Sequence, residues 1–246
     1  MATTEDDRVE EALGDILREY LPRKLEERLP FVTLTYASSL DSRISSGPGV
    51  RTAISHVQTK AMTQYLRLHH DGILIGVNTA NADDPGLNCK YPVPYSREQS
   101  PTPLVVDPHC RWTLSPDAKI IQLARRREGK APWALVRAGN SYRNGQETIL
   151  REVGGRVVEL DDFAWRAVFT RLKSLGLDSI MVEGGAHVIN SLLQEAALVN
   201  SLIVTVGSTY LGQNGVQVSP PAPASLTNVK WWTGIRDAVV CATISS

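Results

Sequence analysis

Short apolar runs that alternate with segments of helical spacing constrain this chain more than any other feature. Ile73 to Val77 is apolar along its whole length and too short for a helix. It reads as a strand buried on both faces. Phe31 to Ser38, Leu104 to Asp107, Trp133 to Arg137, Arg156 to Leu160, Ser179 to Val182 and Ser201 to Val206 read as further strands. Between them the spacing predicts helices. One is capped by Ser55 and runs to about His69, with Val57, Ala61, Tyr65 and Leu68 as its inner face. A loop and a basic helix fill Pro116 to Lys130. Phe163 to Leu175 is a helix capped by Asp161 or Asp162 and ended by Gly176, and Ala186 to Glu195 is another. Strand and helix in alternation predict an α/β fold, with a mostly parallel central sheet flanked by helices. Lys230 to Trp232 and Ala238 to Ile244 follow one another around Gly234, so the C-terminal edge strands should be antiparallel. Asn78 to Tyr95, Pro92 to Pro103 and Leu211 to Thr227 read as loops.

No internal repeat or long linker divides the chain, so residues 30–246 are expected to form one domain. Residues 1–29 read as a helical extension. Val9, Leu13, Ile16, Leu17, Tyr20 and Leu21 recur at helical spacing within 5–28, and Pro22 ends or kinks that helix. Its apolar stripe should pack on the domain or on a partner subunit.

Lys plus Arg and Asp plus Glu both number 26, so no net charge draws the chain to nucleic acid or to a membrane. Its apolar runs are too short to cross a bilayer, and the acidic, polar start lacks the apolar core of a signal peptide. Cys89, Cys110 and Cys241 lack metal-site or disulfide spacing. A reducing, cytoplasmic setting without a bound metal is the expectation.

Three segments could carry chemistry. In Ser179 to His187 a buried strand ends at Glu183-Gly184-Gly185, and a helix begins at once. Glycines let the backbone turn without a Cβ clash, and free N–H groups at a helix start suit a phosphate. On local physics a tight strand–helix connection that binds nothing fits equally well. Glu183 would be repelled by a phosphate and should face a second ligand, or else serve the helix dipole. In Ile75 to Pro85 a strand delivers Thr79 and Asp83 to the sheet edge where open α/β folds bind ligands. Turn chemistry alone also explains that stretch. Asp41, in Ser39-Leu40-Asp41-Ser42-Arg43-Ile44, either binds a ligand or braces its turn.

These segments, in this order, resemble the riboflavin-biosynthesis reductase family, of the stand-alone fungal or archaeal type. The family's S-L-D-G-[KR]-I is Ser39 to Ile44 here. Its G-x-x-T followed by A-D-[DN]-P is Gly76 to Thr79, then Ala82 to Pro85. Its V-E-G-G is Val182 to Gly185, and its late L-G is Leu211-Gly212. The likeness runs from about Phe31 to Ile244. It implies a dihydrofolate-reductase-like fold, a homodimer and an NADPH-dependent oxidoreductase. The implied reaction reduces the ribosylamino group of 2,5-diamino-6-ribosylamino-4(3H)-pyrimidinone 5′-phosphate to the ribitylamino product. The zinc-deaminase motifs H-x-E and P-C-x-x-C of bifunctional relatives are absent.

The resemblance implies that Thr79, Asp83, Val158, Gly184, Gly185, Ala186, His187 and Val188 contact NADPH. It implies that Arg67, Leu87 and Glu183 face the substrate, with Glu183 as the candidate catalytic group. Two departures stand out. Ser42 replaces the family's Gly, and Thr35 stands where bifunctional relatives carry Lys. The competing readings are a pterin reductase of the same fold and a non-catalytic nucleotide-binding protein.

Overall fold

Alternation along the chain becomes alternation in space. The computed structural model describes residues 14–25, 28–91, 96–143 and 145–245. Its strands are β1 (Phe31–Ser38), β2 (Arg43–Ser45), β3 (Gly72–Gly76), β4 (Thr102–Val106), β5 (Trp133–Arg137), β6 (Arg156–Leu160), β7 (Ser179–Gly184), β8 (Ser201–Val206), β9 (Val216–Gln217), β10 (Leu226–Thr233) and β11 (Ala238–Ile244). Its helices are α1 (Val57–Leu68), α2 (Val77–Asp83), α3 (Lys119–Arg125), α4 (Gln146–Glu152), α5 (Trp165–Ser174) and α6 (Ala186–Leu192).

Nine strands form one sheet in the order β10-β11-β8-β1-β7-β3-β4-β5-β6, and β2 pairs separately with β9. From β8 to β6 every pairing is parallel, whereas β11 and β10 close the other edge antiparallel. This is the mostly parallel sheet with antiparallel edge strands that the sequence predicts. Successive residues of a strand face opposite sides. Ile73, Ile75 and Met181 therefore enter one core with Met62 and Leu66 of α1, Ile121 of α3 and Leu150 of α4. Leu74, Ile180 and Val182 enter the other with Phe169 of α5 and Ile189 of α6.

Several boundaries differ from the sequence reading. The predicted N-terminal helix stops at Tyr20, just before Pro22, rather than running to 28. Its residues 5–13 lie outside the described residues, as do residues 92–95 of the predicted loop. Asn78 to Asp83 is helical rather than loop, because Val77 and Ala80, three apart, bury one face. Helix α4 was not expected at all. Val216–Gln217 is a short strand inside a predicted loop, and β4 and β10 start at Thr102 and Leu226, again within predicted loops.

Helix α1 starts with His56, not Ser55, in the capping position, and no side chain of its own caps it. Asp237 does so from across the fold. Its Oδ2 accepts from His56 N at 2.5 Å and from Thr59 Oγ1 at 2.6 Å. The buried face of α1 is Gln58, Thr59, Met62 and Leu66, about one residue round from the predicted stripe, and Val57 is 58% exposed. Lys60 and Arg67, seven residues apart, lie along one side of α1, Lys60 exposed and the Arg67 side chain largely buried.

Candidate active site

The chain leaves β3 through α2 toward β4, and leaves β7 through α6 toward β8. The two departures run in opposite directions on opposite faces of the sheet. Such a reversal opens a crevice at the C-terminal ends of the strands. Here that crevice lies between β7 and β3, with β1 alongside.

Two glycines meet different demands at the end of β7. Gly184 has φ +112°, and a Cβ there would stand 2.9 Å from Ile189 Cδ1. A Cβ on Gly185 would stand 2.8 Å from Thr79 Oγ1. The first glycine is needed for backbone conformation. The second lets the β7–α6 turn approach the β3–α2 turn. The peptide between them is cis. The first helical bond of α6 runs from Ile189 N to Gly185 O at 3.0 Å. The N–H groups of Ala186, His187 and Val188 therefore have no acceptor within the helix. Val188 is buried and touches the space beside Gly76, while His187 is exposed.

Glu183 turns away from this cradle and meets Arg67 of α1. Arg67 Nε and Nη2 donate to Oε1 at 3.1 and 3.0 Å, and Nη2 donates to Oε2 at 2.9 Å. Nη1 donates to the Asn88 carbonyl at 3.0 Å. Leu87, next to Asn88, has φ +54° and its side chain is buried in the core. Of the three residues assigned to substrate by resemblance, Arg67 and Glu183 thus pair directly, whereas the Leu87 side chain packs into the core. Oε2 accepts only one of these bonds, which leaves it room for another donor.

Asp83 ends α2. Its burial raises its carboxyl pKa, and Arg51 beside it opposes that rise. Val158 stands apart. It is buried mid-strand on β6, four strands from β7, or roughly 19 Å at ordinary strand spacing.

Asp41 braces rather than projects. It accepts from Ser39 Oγ at 2.5 Å, Leu211 N at 3.0 Å and Gly212 N at 2.8 Å. The S-L-D block is thereby tied to the late L-G block, an order that sequence position alone does not explain. Ser42, where the family carries Gly, holds φ +59°, the left-handed region that favours glycine. Thr35, where bifunctional relatives have Lys, is buried on β1.

The Ser39 hydroxyl, helped by the Leu211 and Gly212 N–H groups, holds the Asp41 carboxyl down at about 2 against 3.8 ordinarily. A depressed folded-state pKa stabilises the fold above the unfolded value, and that contribution is lost as pH falls toward the folded one. The urea midpoint of Asp41→Asn should thus lie below wild type by a constant margin from neutral pH to about 5. Below pH 3.8 the margin should shrink toward zero near 2.

Sequence reasoning missed two contributors. Asn88 positions Arg67 through a backbone carbonyl, which no side-chain pattern reveals. Arg51 reaches Asp83 from a loop without periodicity. The histidine pair 69–70 is no metal site. His70 is buried between the Thr33 hydroxyl and the Leu66 carbonyl. No metal-binding group of His, Cys, Asp and Glu occurs among the described residues. Nor is any helix among them long and apolar enough to cross a membrane.

The chain belongs to the family described as the RibD C-terminal domain, whose model matches residues 30–240. Several relatives bear the name 2,5-diamino-6-ribosylamino-4(3H)-pyrimidinone 5′-phosphate reductase. The one from Saccharomyces cerevisiae is 45% identical over 245 residues, covering 96% of each chain. The one from Debaryomyces hansenii is 42% identical over 241 residues, covering 95% of this chain and 97% of its own. A solved structure of the S. cerevisiae riboflavin biosynthesis reductase matches with a TM-score of 0.80 at 40% identity. It covers 95% of this chain and 99% of that one. Acinetobacter baumannii RibD, 23% identical, matches with a TM-score of 0.70 over 89% of this chain and 59% of its own, and shares the fold.

Proposed function

We propose that this chain is an NADPH-dependent reductase of riboflavin biosynthesis. Its substrate is 2,5-diamino-6-ribosylamino-4(3H)-pyrimidinone 5′-phosphate, and its product is the ribitylamino compound. The observation that carries this reading is the Arg67–Glu183 pair standing beside the Gly184-Gly185 turn, in a chain 45% identical to a relative of that name.

The cradle suits a dinucleotide. A Cβ would fill the gap between Gly185 and Thr79, and three helix-start N–H groups lack helical acceptors. Thr79, Asp83 and Gly184 to Val188 are the residues to hold NADPH, with Val158 toward its far end. The bound cofactor supplies the hydride.

The chain itself positions the sugar. Arg67 fixes the Glu183 carboxylate, so that its remaining lone pair on Oε2 can accept a sugar hydroxyl or hold a proton near the substrate nitrogen. Near-attack placement of this kind is the main contribution a protein makes to hydride transfer. Asp41 holds the Leu211-Gly212 turn against the end of β1 and keeps that wall of the site in place.

The same reading takes residues 1–29 as an extension on a single reductase domain at 30–246, in a homodimeric cytoplasmic enzyme. Leu226, Val229 and Trp231 on the edge strand β10 are 40%, 43% and 60% exposed, which supports a subunit contact there.

The test is to incubate the purified protein with NADPH and either the ribosylamino substrate or dihydrofolate. The products are then identified by mass spectrometry. A ribitylamino product two hydrogens heavier than substrate is expected. Consumption of dihydrofolate alone would replace this reading with a pterin reductase.

A further inference from the structure

The Arg67 and Glu183 side chains lean on one outside contact. Arg67 spends its Nε and Nη2 donors on Glu183 and its Nη1 donor on the Asn88 carbonyl at 3.0 Å. Among the described residues, that carbonyl is the only hydrogen-bond partner these two side chains have besides each other. An ion pair fixes its two groups relative to one another. The carbonyl supplies the reference that fixes the tilt of both.

The Asn88 carbonyl shares one planar peptide with the Cys89 N–H, and in a trans peptide the two point in opposite directions. Cys89 N donates to Ser100 Oγ at 3.0 Å. One rigid plane thus meets the Ser100 hydroxyl on one edge and Arg67 on the other. Ser100 is 1% exposed and Cys89 is fully buried, so the hydroxyl edge is shut off from water. The hydroxyl donates in turn to the Ser96 carbonyl at 3.4 Å, which leaves its lone pairs for the Cys89 N–H. Two residues beyond Ser100, Thr102 N donates to Asp71 O at 2.7 Å at the foot of β3. The hydroxyl therefore hangs from the central sheet. Asn88 is itself buried, and its Nδ2 donates to the Glu128 carbonyl at 3.0 Å, just past α3. Lys90 N donates to Gln64 Oε1 at 2.8 Å, which ties the same segment to α1 about one turn before Arg67.

Building on the activity proposed above, we propose that Ser100 is a positioning residue of the substrate site. Through the Asn88–Cys89 peptide its hydroxyl sets the tilt of Arg67, and with it the direction of the Glu183 Oε2 lone pair that meets the sugar. Ser100 touches no ligand and acts only through these contacts. Without the hydroxyl, the buried Cys89 N–H lacks an acceptor and the peptide turns to find one. The plane is rigid, so the Asn88 carbonyl turns with it. A misplacement of about 1 Å can cost about 100-fold in rate, and a tilt of a fraction of that should cost about tenfold.

Ser100→Ala removes the hydroxyl and little else. The measurements are kcat/KM for the ribosylamino substrate, NADPH affinity by nicotinamide fluorescence, and substrate affinity by calorimetry without cofactor. The calorimetry is repeated in a Glu183→Gln background. In Ser100→Ala, kcat/KM should fall about tenfold while NADPH affinity stays within about twofold of wild type. Substrate affinity should fall about fivefold in the otherwise native chain, and by less than about twofold where Glu183→Gln is already present. An unchanged kcat/KM overturns the inference. So does an equal loss of substrate affinity in both backgrounds, or a parallel loss of NADPH binding, because each marks a general loosening of the fold. Asn88→Ala frees the same peptide from its other side. It carries the test where Ser100→Ala does not fold: the same pattern is expected, and its absence overturns the inference. In each of these cases a wild type that reduces the ribosylamino substrate leaves the reductase reading standing. A wild type that does not reduce it overturns both.

Discussion

Arg67→Met is expected to lower the unfolding free energy by about 2–4 kcal/mol and to cut kcat/KM by about 1000-fold. The stability loss comes from what remains behind. Side-chain exposure is 13% for Arg67 and 19% for Glu183, so without the guanidinium a carboxylate stays largely buried and uncompensated. The Asn88 carbonyl loses its donor as well. Urea denaturation measures the first effect and steady-state turnover the second. Adding Glu183→Gln removes the stranded charge. The double variant should regain about 1–2 kcal/mol of stability and none of the activity. If activity returned with stability, the pair would be a structural strut rather than a substrate-positioning device.

Adjacent glycines should fail differently. Gly184→Ala places a Cβ at φ +112°, a region essentially closed to side chains, and 2.9 Å from buried Ile189 Cδ1. A loss of about 2–4 kcal/mol of stability is expected from strain and overpacking. Gly185 has ordinary extended backbone, and its Cβ would meet only Thr79 Oγ1 at 2.8 Å. Gly185→Ala should fold nearly as well as wild type, because a hydroxyl tip can rotate away. The cradle would be filled, and NADPH affinity should drop by about 100-fold. Thermal melts and cofactor titration by nicotinamide fluorescence separate the two. Equal cofactor affinity in Gly185→Ala and wild type would remove the turn from the cofactor site.

How much the sequence reveals depends on how local the cause is. β3 and β8 are legible because burial on both faces leaves a continuous apolar run. Glycine at the end of β7 is legible because only glycine accepts the backbone found there. Helix α2 is hidden by its composition: Asn78, Asn81 and Asp83 read as turn chemistry, yet Asn81 ties the helix to Arg111 and Thr113 of the next loop. Helix α4 is hidden by length, since seven residues with one fully buried leucine carry little periodicity.

The site's pairings are hidden by distance along the chain. Arg67 meets Glu183 across 116 residues, and Asp41 meets Leu211 across 170. Nothing in either residue's neighbourhood announces the partner. Family resemblance named Arg67 and Glu183 separately, and the fold brings the two together as an ion pair. Asp237 lies further out of reach. Its cap on α1 spans 181 residues and displaces Ser55, which the capping rule selects.

A crystal structure with NADPH bound tests the central claim most directly. The account predicts the cofactor's diphosphate within hydrogen-bond distance of the N–H groups of Gly185 to Val188, with Thr79 alongside and Glu183 still paired to Arg67 on the substrate side. A diphosphate seated elsewhere on the molecule, with the Gly184-Gly185 turn empty, would contradict it.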